Sequence, residues 1–375
     1  MEKFSWAIQD GLLRKITGKL QSLWMEIPGR CNLACRYCFA CAGEKLEEAK
    51  LMTWETIEKM LEEAARLGVT SFGIPGAGEP LLPVNQRLTM RIIRKCAELK
   101  IFVSLFTTSE FITEELADEL FDLPVELLVK CNTLDPELQD RFVSDPKRGR
   151  IIHGYGTKRN ARIQLLMEKG FADEAKCRAM FGRKSRLGLV TSIMTSEEGE
   201  LSNLDHVANI LRFCRRNNLI FDSDSVLKRG RGIACGLSLG DEEYKQKVFE
   251  LQRIDREEFS NEWTPTQSYV GGPACDRCFH HLYVDQYGIV HPCVGAMGVE
   301  LGHVTETGLE QAWNRSEMQI IRNRKYHGRC GDECANFAEG KCNSCLGRRT
   351  VNLTNASLQT DGCVTTIGCW NFRKK

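Results

Sequence analysis

Three cysteines in the run Gly29-Arg30-Cys31-Asn32-Leu33-Ala34-Cys35-Arg36-Tyr37-Cys38-Phe39 form a C-x3-C-x2-C pattern. An iron–sulfur cube normally takes four cysteine thiolates, so a cube held by these three would keep one iron open to a small molecule. Chemistry would occur at that open iron. Zinc is the alternative occupant, but it prefers CxxC pairs that close a four-ligand tetrahedron, and Cys41 would have to supply the fourth ligand.

The elements that must hold this loop follow from apolar periodicity. Short apolar runs at residues 23–27, 71–74, 102–107, 125–130, 187–194 and 221–226 alternate with amphipathic stretches, the pattern of a parallel sheet built from six βα units. The first helix starts at Thr53, a good N-cap, and stops at Gly68; Ile57, Met60, Leu61, Ala64 and Leu67 recur along one face and belong to the core. Further helices are expected over residues 88–99, 113–121, 161–169 and 203–217, with residues 144–155 an exposed loop after strand four in which His153 has no assigned role. Ligands on parallel βα folds lie at the carboxyl ends of the strands, so motifs there carry most weight.

After strand two stands Gly76-Ala77-Gly78-Glu79-Pro80, a glycine-rich turn that lets backbone groups approach a ligand closely. Together with the three-cysteine loop it resembles the signature of the radical S-adenosylmethionine (radical SAM) enzymes, whose corresponding motif reads GGEP. The resemblance implies a partial (βα)6 TIM-like barrel in an α/β chain and a [4Fe-4S] cluster on Cys31, Cys35 and Cys38. It also implies SAM chelated to the open iron, with the cluster cleaving SAM to a 5′-deoxyadenosyl radical that abstracts a substrate hydrogen.

On the same resemblance Gly76, Gly78 and Glu79 lie at the SAM amino group. Thr107 and Ser109 of the run Thr107-Thr108-Ser109-Glu110 offer hydroxyls to SAM or simply shape a turn. Of Lys130, Asn132 and Thr133, one or two should face the pocket, and Asn132 is taken as a SAM contact; Ser192 resembles the position that touches the ribose. Asp222 and Asp224 share one face of strand six and are candidate general bases or substrate ligands, or partners of Arg229 or Arg231. Arg231 could instead contact SAM.

Nine of the eighteen cysteines follow residue 270. The spacing Cys278-x9-Gly288-x4-Cys293, followed by Cys330, Cys334, Cys342, Cys345 and Cys363, resembles the SPASM extension of radical SAM enzymes, which holds two auxiliary [4Fe-4S] clusters. The family's interleaved connectivity would give Cys275, Cys278, Cys293 and Cys345 to the nearer cluster and Cys330, Cys334, Cys342 and Cys363 to the farther one, leaving Cys369 spare. A zinc ribbon is the alternative for the CxxC pairs. Cys96, Cys131, Cys177 and Cys214 read as small buried apolar residues, whereas Cys235, beyond the Gly-Arg-Gly turn, could be a hydrogen-atom donor.

The expected domains are an amphipathic N-terminal helix over 1–21, the barrel over 22–260 and the small cysteine-rich iron–sulfur domain over 261–375. With 51 basic and 50 acidic residues the chain gives no polyanion signal, so nucleic acid is not an expected partner. It contains no run of about 18 apolar residues and its start lacks the apolar core of a signal peptide, which leads to the expectation of a cytoplasmic protein without a membrane span.

Three function classes follow. The first dehydrogenates or epimerises a small polar metabolite, such as an amino sugar or aminocyclitol. The second is a maturase that crosslinks or epimerises a peptide or protein. The third is a non-catalytic electron carrier. The roughly twenty residues before strand one are too few for a winged-helix leader-binding domain, which favours the metabolite. An electron donor such as flavodoxin or ferredoxin is the expected protein partner.

Overall fold

The structure is a computed structural model and describes residues 18–227, 229–233, 235–237, 239–263, 277–328, 332, 335–338, 352–353 and 358–360. Most of the expected N-terminal helix lies outside the described residues, as do Cys275, Cys330, Cys334, Cys342, Cys345, Cys363 and Cys369.

Six parallel strands lie side by side in chain order: β1 (Ser22–Met25), β2 (Ser71–Ile74), β3 (Phe102–Thr107), β4 (Val125–Lys130), β5 (Leu187–Ile193) and β6 (Ile220–Ser225). The helices that return the chain are α1 (Trp54–Arg66), α2 (Pro83–Glu98), α3 (Glu114–Asp122), α4 (Pro136–Phe142), α5 (Tyr155–Glu168), α6 (Glu174–Phe181) and α7 (Leu204–Arg216), and α8 (Asp241–Phe259) follows β6. Local chemistry starts several of them. Thr53 and Thr113 accept the Thr56 and Leu116 N–H groups, and Asp135 and Asp173 accept those of Leu138 and Lys176.

The strands agree with the sequence expectation to within two residues, but two helices begin earlier. Helix α2 starts at Pro83, whose fixed φ suits a first helical position. Helix α5 starts at Tyr155, because the Asp140 carboxylate accepts the N–H groups of Gly154 and Gly156. The expected loop over 144–155 is thereby shortened, with a single 3-10 turn at Pro146–Arg148. Helices α4, α6 and α8 are additions to the expected set.

One edge of the barrel is extended by the C-terminal region. Strand β7 (His281–Val284) pairs parallel to β1, with Trp24 opposite Tyr283, and β8 (Val290–His291) pairs antiparallel to β7. The eight-stranded sheet therefore runs β6-β5-β4-β3-β2-β1-β7-β8.

Alternation divides each strand between two environments. Leu23, Met25, Phe72, Ile74, Val103, Leu105, Leu127, Val129, Leu189 and Phe221 pack into the helix-covered core. The opposite face is polar: Ser104 donates to Glu126 at 2.6 Å and Lys130 donates to Ser192 at 2.7 Å. Trp24 lies across this concave face, 5.3 Å from the Phe106 ring and edge-on to His281 at 5.6 Å. It fits because β2 offers Gly73 there; a Cβ at that position would stand 2.3 Å from the indole. Gly73→Ala is expected to destabilise the fold by about 1–3 kcal/mol through overpacking, read as a lower denaturation midpoint. An unchanged midpoint would mean that the indole is free to move.

Candidate active site

The cysteine loop leaves β1 and has no helix or strand of its own until Glu48, so its geometry comes from groups that catch its backbone. Beneath it, the Glu79 N–H donates to the Arg30 carbonyl at 3.0 Å. Asn85 of α2 donates to the carbonyls of Pro28, Arg30 and Glu79 at 3.3, 3.1 and 2.9 Å, tying loop and turn together. From the far side, Arg231 donates its backbone N–H to the Cys38 carbonyl and its side chain to the carbonyls of Cys35 and Ala42, all at 3.0–3.1 Å. Glu110 accepts from Asn32 at 2.7 Å, and Gln286 beyond β7 accepts from the Gly29 N–H at 2.9 Å.

This frame gathers the three thiols. Burial first, then neighbouring Cys38, pushes the Cys35 thiol up to about 11; burial and then Cys35 push Cys31 up in the same direction. The Leu33 and Ala42 N–H groups point at the sulfurs of Cys31 and Cys38, both at 3.4 Å. Asn132 donates to the Tyr37 hydroxyl at 2.6 Å, and Tyr37 in turn hydrogen-bonds the Cys35 sulfur. Half-buried, neighbouring sulfurs supplied with N–H donors suit a cationic iron–sulfur cube. Among the described residues no group of three is placed around a single metal ion; a cube differs in taking each thiolate on a different iron.

The other strand ends converge on the same mouth. In the Gly76-to-Pro80 turn, a Cβ on Gly78 would stand 2.4 Å from the Arg30 carbonyl oxygen, and Gly76 adopts φ +73°. Buried Glu79 accepts from Thr107 Oγ1 at 2.5 Å and from the N–H groups of Thr108 and Leu81 at 2.7 and 3.0 Å. Burial still raises its pKa. Ser109 holds φ +63°, a left-handed conformation, and its Oγ is buried without a hydrogen-bond partner. Arg231 Nη2 and Asn32 Oδ1 are likewise buried and unpartnered. Polar atoms left over at the loop and turn suit a polar cofactor such as SAM.

On strands four to six, Lys130 is the residue the sequence named without assigning a role. Burial lowers its pKa to about 8, against the opposing fields of Cys35, Asp222 and Asp224. It therefore sits among the loop cysteine, Ser192 and both strand-six carboxylates. Arg229 pairs with Glu26 at 3.0 Å and Arg231 with Glu44 at 3.3 Å, both carboxylates being distinct from Asp222 and Asp224. Cys235 packs with Cys35 against one apolar cluster of Tyr37, Phe142, Met194, Leu201, Val226 and Leu237. On its outer side Cys235 lines a cleft of about 880 Å³, together with Arg36, Arg141, Ile151, His153 and Glu197.

Of the auxiliary candidates, Cys278 and Cys293 fall among the described residues. They are hydrogen-bond neighbours, and that contact, with the N–H groups of Gly295 and Ala296, holds the buried Cys293 thiol below the ordinary range.

Ser109→Gly separates two roles. Relief of the left-handed strain and of the unpartnered hydroxyl should stabilise the fold by roughly 1 kcal/mol. If the hydroxyl also touches SAM, affinity measured by calorimetry on the reconstituted protein will fall although stability rises; unchanged affinity removes Ser109 from the SAM site.

Comparison with known proteins agrees with this geometry. A family profile described as "Radical SAM superfamily" matches residues 25–171, and one described as "SPASM: Iron-sulfur cluster-binding domain" matches residues 275–346. A probable GTP 3′,8-cyclase of Methanocaldococcus jannaschii is 30% identical over 141 residues, covering 37% of this chain and 46% of the relative. The GTP 3′,8-cyclase of Aquifex aeolicus is 30% identical over 170 residues, covering 44% and 52%. The chain thus spans about half the length of the curated relatives it matches.

Among solved structures, Streptococcus suis SuiB bound to S-adenosylmethionine superposes with a TM-score of 0.63 at 14% identity, covering 85% of this chain and 72% of SuiB. Native anSMEcpe with bound AdoMet and Kp18Cys peptide gives 0.59 at 14% identity, covering 92% of each chain. These two likenesses concern the fold. No helix among the described residues is long and apolar enough to cross a membrane. With the three-cysteine loop and the glycine-rich turn inside the first match, residues 25–171 form a radical SAM domain and residues 275–346 match a SPASM iron–sulfur cluster-binding domain.

Proposed function

We propose that this enzyme modifies a peptide or protein segment, held in the cleft between α4, the turn after β5 and Cys235. The observation that carries the reading is the cleft: about 880 Å³, near the upper end of small-molecule pockets, and adjoining the cluster loop through Arg36. Its charged lining of Glu137, Asp140, Glu197, Glu198 and Glu200 outnumbers Arg36, Arg141 and Lys147, an unfavourable setting for the triphosphate of a GTP-like substrate. The solved structures of SuiB with its precursor peptide SuiA and of anSMEcpe with the Kp18Cys peptide share this fold. This reverses the sequence-based preference for a small metabolite.

In this reading Cys31, Cys35 and Cys38 hold a [4Fe-4S] cluster, and Gly76, Gly78, Glu79, Thr107, Ser109, Asn132, Ser192 and Arg231 shape the SAM site. When bound, that cluster and SAM supply reductive SAM cleavage and hydrogen abstraction. Glu79 fixes the turn, Asn132 orients Tyr37 against Cys35, and Lys130 with Asp222 and Asp224 provides the proton-accepting and substrate-orienting groups. Cys278 and Cys293 belong to one of two auxiliary clusters, with Cys275, Cys330, Cys334, Cys342, Cys345 and Cys363 as the remaining ligands. The electron donor would be a flavodoxin or ferredoxin, and the protein would work in the cytoplasm.

A second reading, a small polar metabolite undergoing dehydrogenation or epimerisation, is favoured by the polar concave face around Lys130, Asp222 and Asp224. The two differ in what couples to SAM cleavage. Anaerobic incubation with SAM and dithionite should yield 5′-deoxyadenosine from the wild type and none from a Cys31→Ala/Cys35→Ala/Cys38→Ala variant. A panel of synthetic peptides, aminocyclitols and GTP, scored by mass change of the substrate, should then give a modified peptide. Modification of an aminocyclitol alone would establish the second reading.

If the modification is an epimerisation with Cys235 as hydrogen donor, Cys235→Ala should abolish solvent deuterium in the product. Persistent deuterium uptake removes Cys235 from that role.

A further inference from the structure

Arg229 occupies a position no part of the proposed mechanism uses. Its guanidinium pairs with Glu26 at 3.0 Å, donates to the Val294 carbonyl at 3.3 Å and lies 3.5 Å from the Tyr283 hydroxyl, itself a donor to Glu26. The same guanidinium lies 5.5 Å from the Phe39 ring centroid. Phe39 follows Cys38, and Val294 follows Cys293. Glu26 stands at the end of β1, just before the cysteine loop, and Tyr283 is in β7. A single side chain thus touches the neighbours of one proposed cluster ligand on each side.

The pair is well shielded. The Glu26 side chain is 4% exposed and that of Arg229 is 21% exposed, so its charges are weakly screened by solvent and salt. Two residues further on, Arg231 holds the carbonyls of Cys35 and Cys38, so the turn at 229–231 also grips the cysteine loop directly. Next to Val294, the Cys293 sulfur receives the N–H groups of Gly295 and Ala296. Hydrogen bonds, net charge and solvent exposure are the levers by which a protein sets an iron–sulfur potential.

We infer that Arg229 and Glu26 form a positioning pair between the two cluster regions, one that tunes the potential of the auxiliary cluster held through Cys278 and Cys293. This rests on the ligand assignment proposed above. Because the pair is neutral as a whole, its two halves act in opposite senses. Removing the cation leaves Glu26 negative beside a cluster that gains negative charge on reduction, which disfavours reduction. Removing the anion leaves Arg229 positive, which favours it. A role confined to packing gives no such opposition of sign.

The test uses the full reconstituted chain and redox titration of the auxiliary cluster, followed by electron paramagnetic resonance. Arg229→Gln should move the midpoint to a more negative potential and Glu26→Gln to a more positive one. Arg229→Lys and the Arg229→Gln/Glu26→Gln double variant should stay near the wild type. Shifts of the same sign in both single variants, or no shift in either at wild-type iron content, would overturn the inference. Should Arg229→Gln fail to fold, Glu26→Gln and the double variant carry the comparison, and a Glu26→Gln midpoint equal to or below that of the wild type is refuting. A Cys278→Ala/Cys293→Ala variant that keeps full iron and both auxiliary signals would instead overturn the ligand assignment, and the inference with it.

Discussion

A loop without regular structure can hold a reactive centre only if other parts of the chain fix its carbonyls and N–H groups. Here that constraint is met by hydrogen bonds that reach the loop between Pro28 and Gly43. Asn85 and the Glu79 N–H secure its entry, and Arg231 secures the carbonyls around Cys35, Cys38 and Ala42. These donors come from the β2–α2 unit and from beyond β6, at opposite sides of the barrel strands, so the loop is set only when the sheet is assembled. Preorganisation of this kind would let the sulfurs take up the proposed cube without further ordering of the chain.

The same assembly explains why the concave face tolerates polar and charged groups. Glu126 and Asp222 are buried and Lys130 is half-buried, and for the two residues on β4 the strands on either side supply hydrogen-bonding partners. Ser104 of β3 faces Glu126 and donates to it, and Ser192 of β5 accepts from Lys130. Apolar burial on the helix-facing side supplies the stability, and the inner face is left to chemistry.

The strands were readable because buried parallel strands are short apolar runs between turn residues, and β2, β3 and β4 fall at the expected bounds. The cysteine spacing and the glycine-rich turn were readable because both are local in sequence. Other features were hidden by distance along the chain. The start of α5 depends on Asp140, 14 residues before Gly154. Asn85 acts on Arg30 across 55 residues, and Arg229 on Glu26 across 203. An asparagine within an amphipathic helix or an arginine in a basic turn carries no mark of such a role. The pairing of β7 with β1 was hidden for the same reason.

That pairing has a consequence for how the chain could be divided. Strand β1 is interior to the sheet only because β7 covers its outer side, from Ser22 opposite His281 to Met25 opposite Val284. A fragment ending after α8 would bare a row of main-chain N–H and C=O groups on an apolar strand, the kind of naked edge that templates pairing between copies. The cysteine-rich region is therefore a guard against aggregation as well as a carrier of thiolates, and the barrel is not a detachable module.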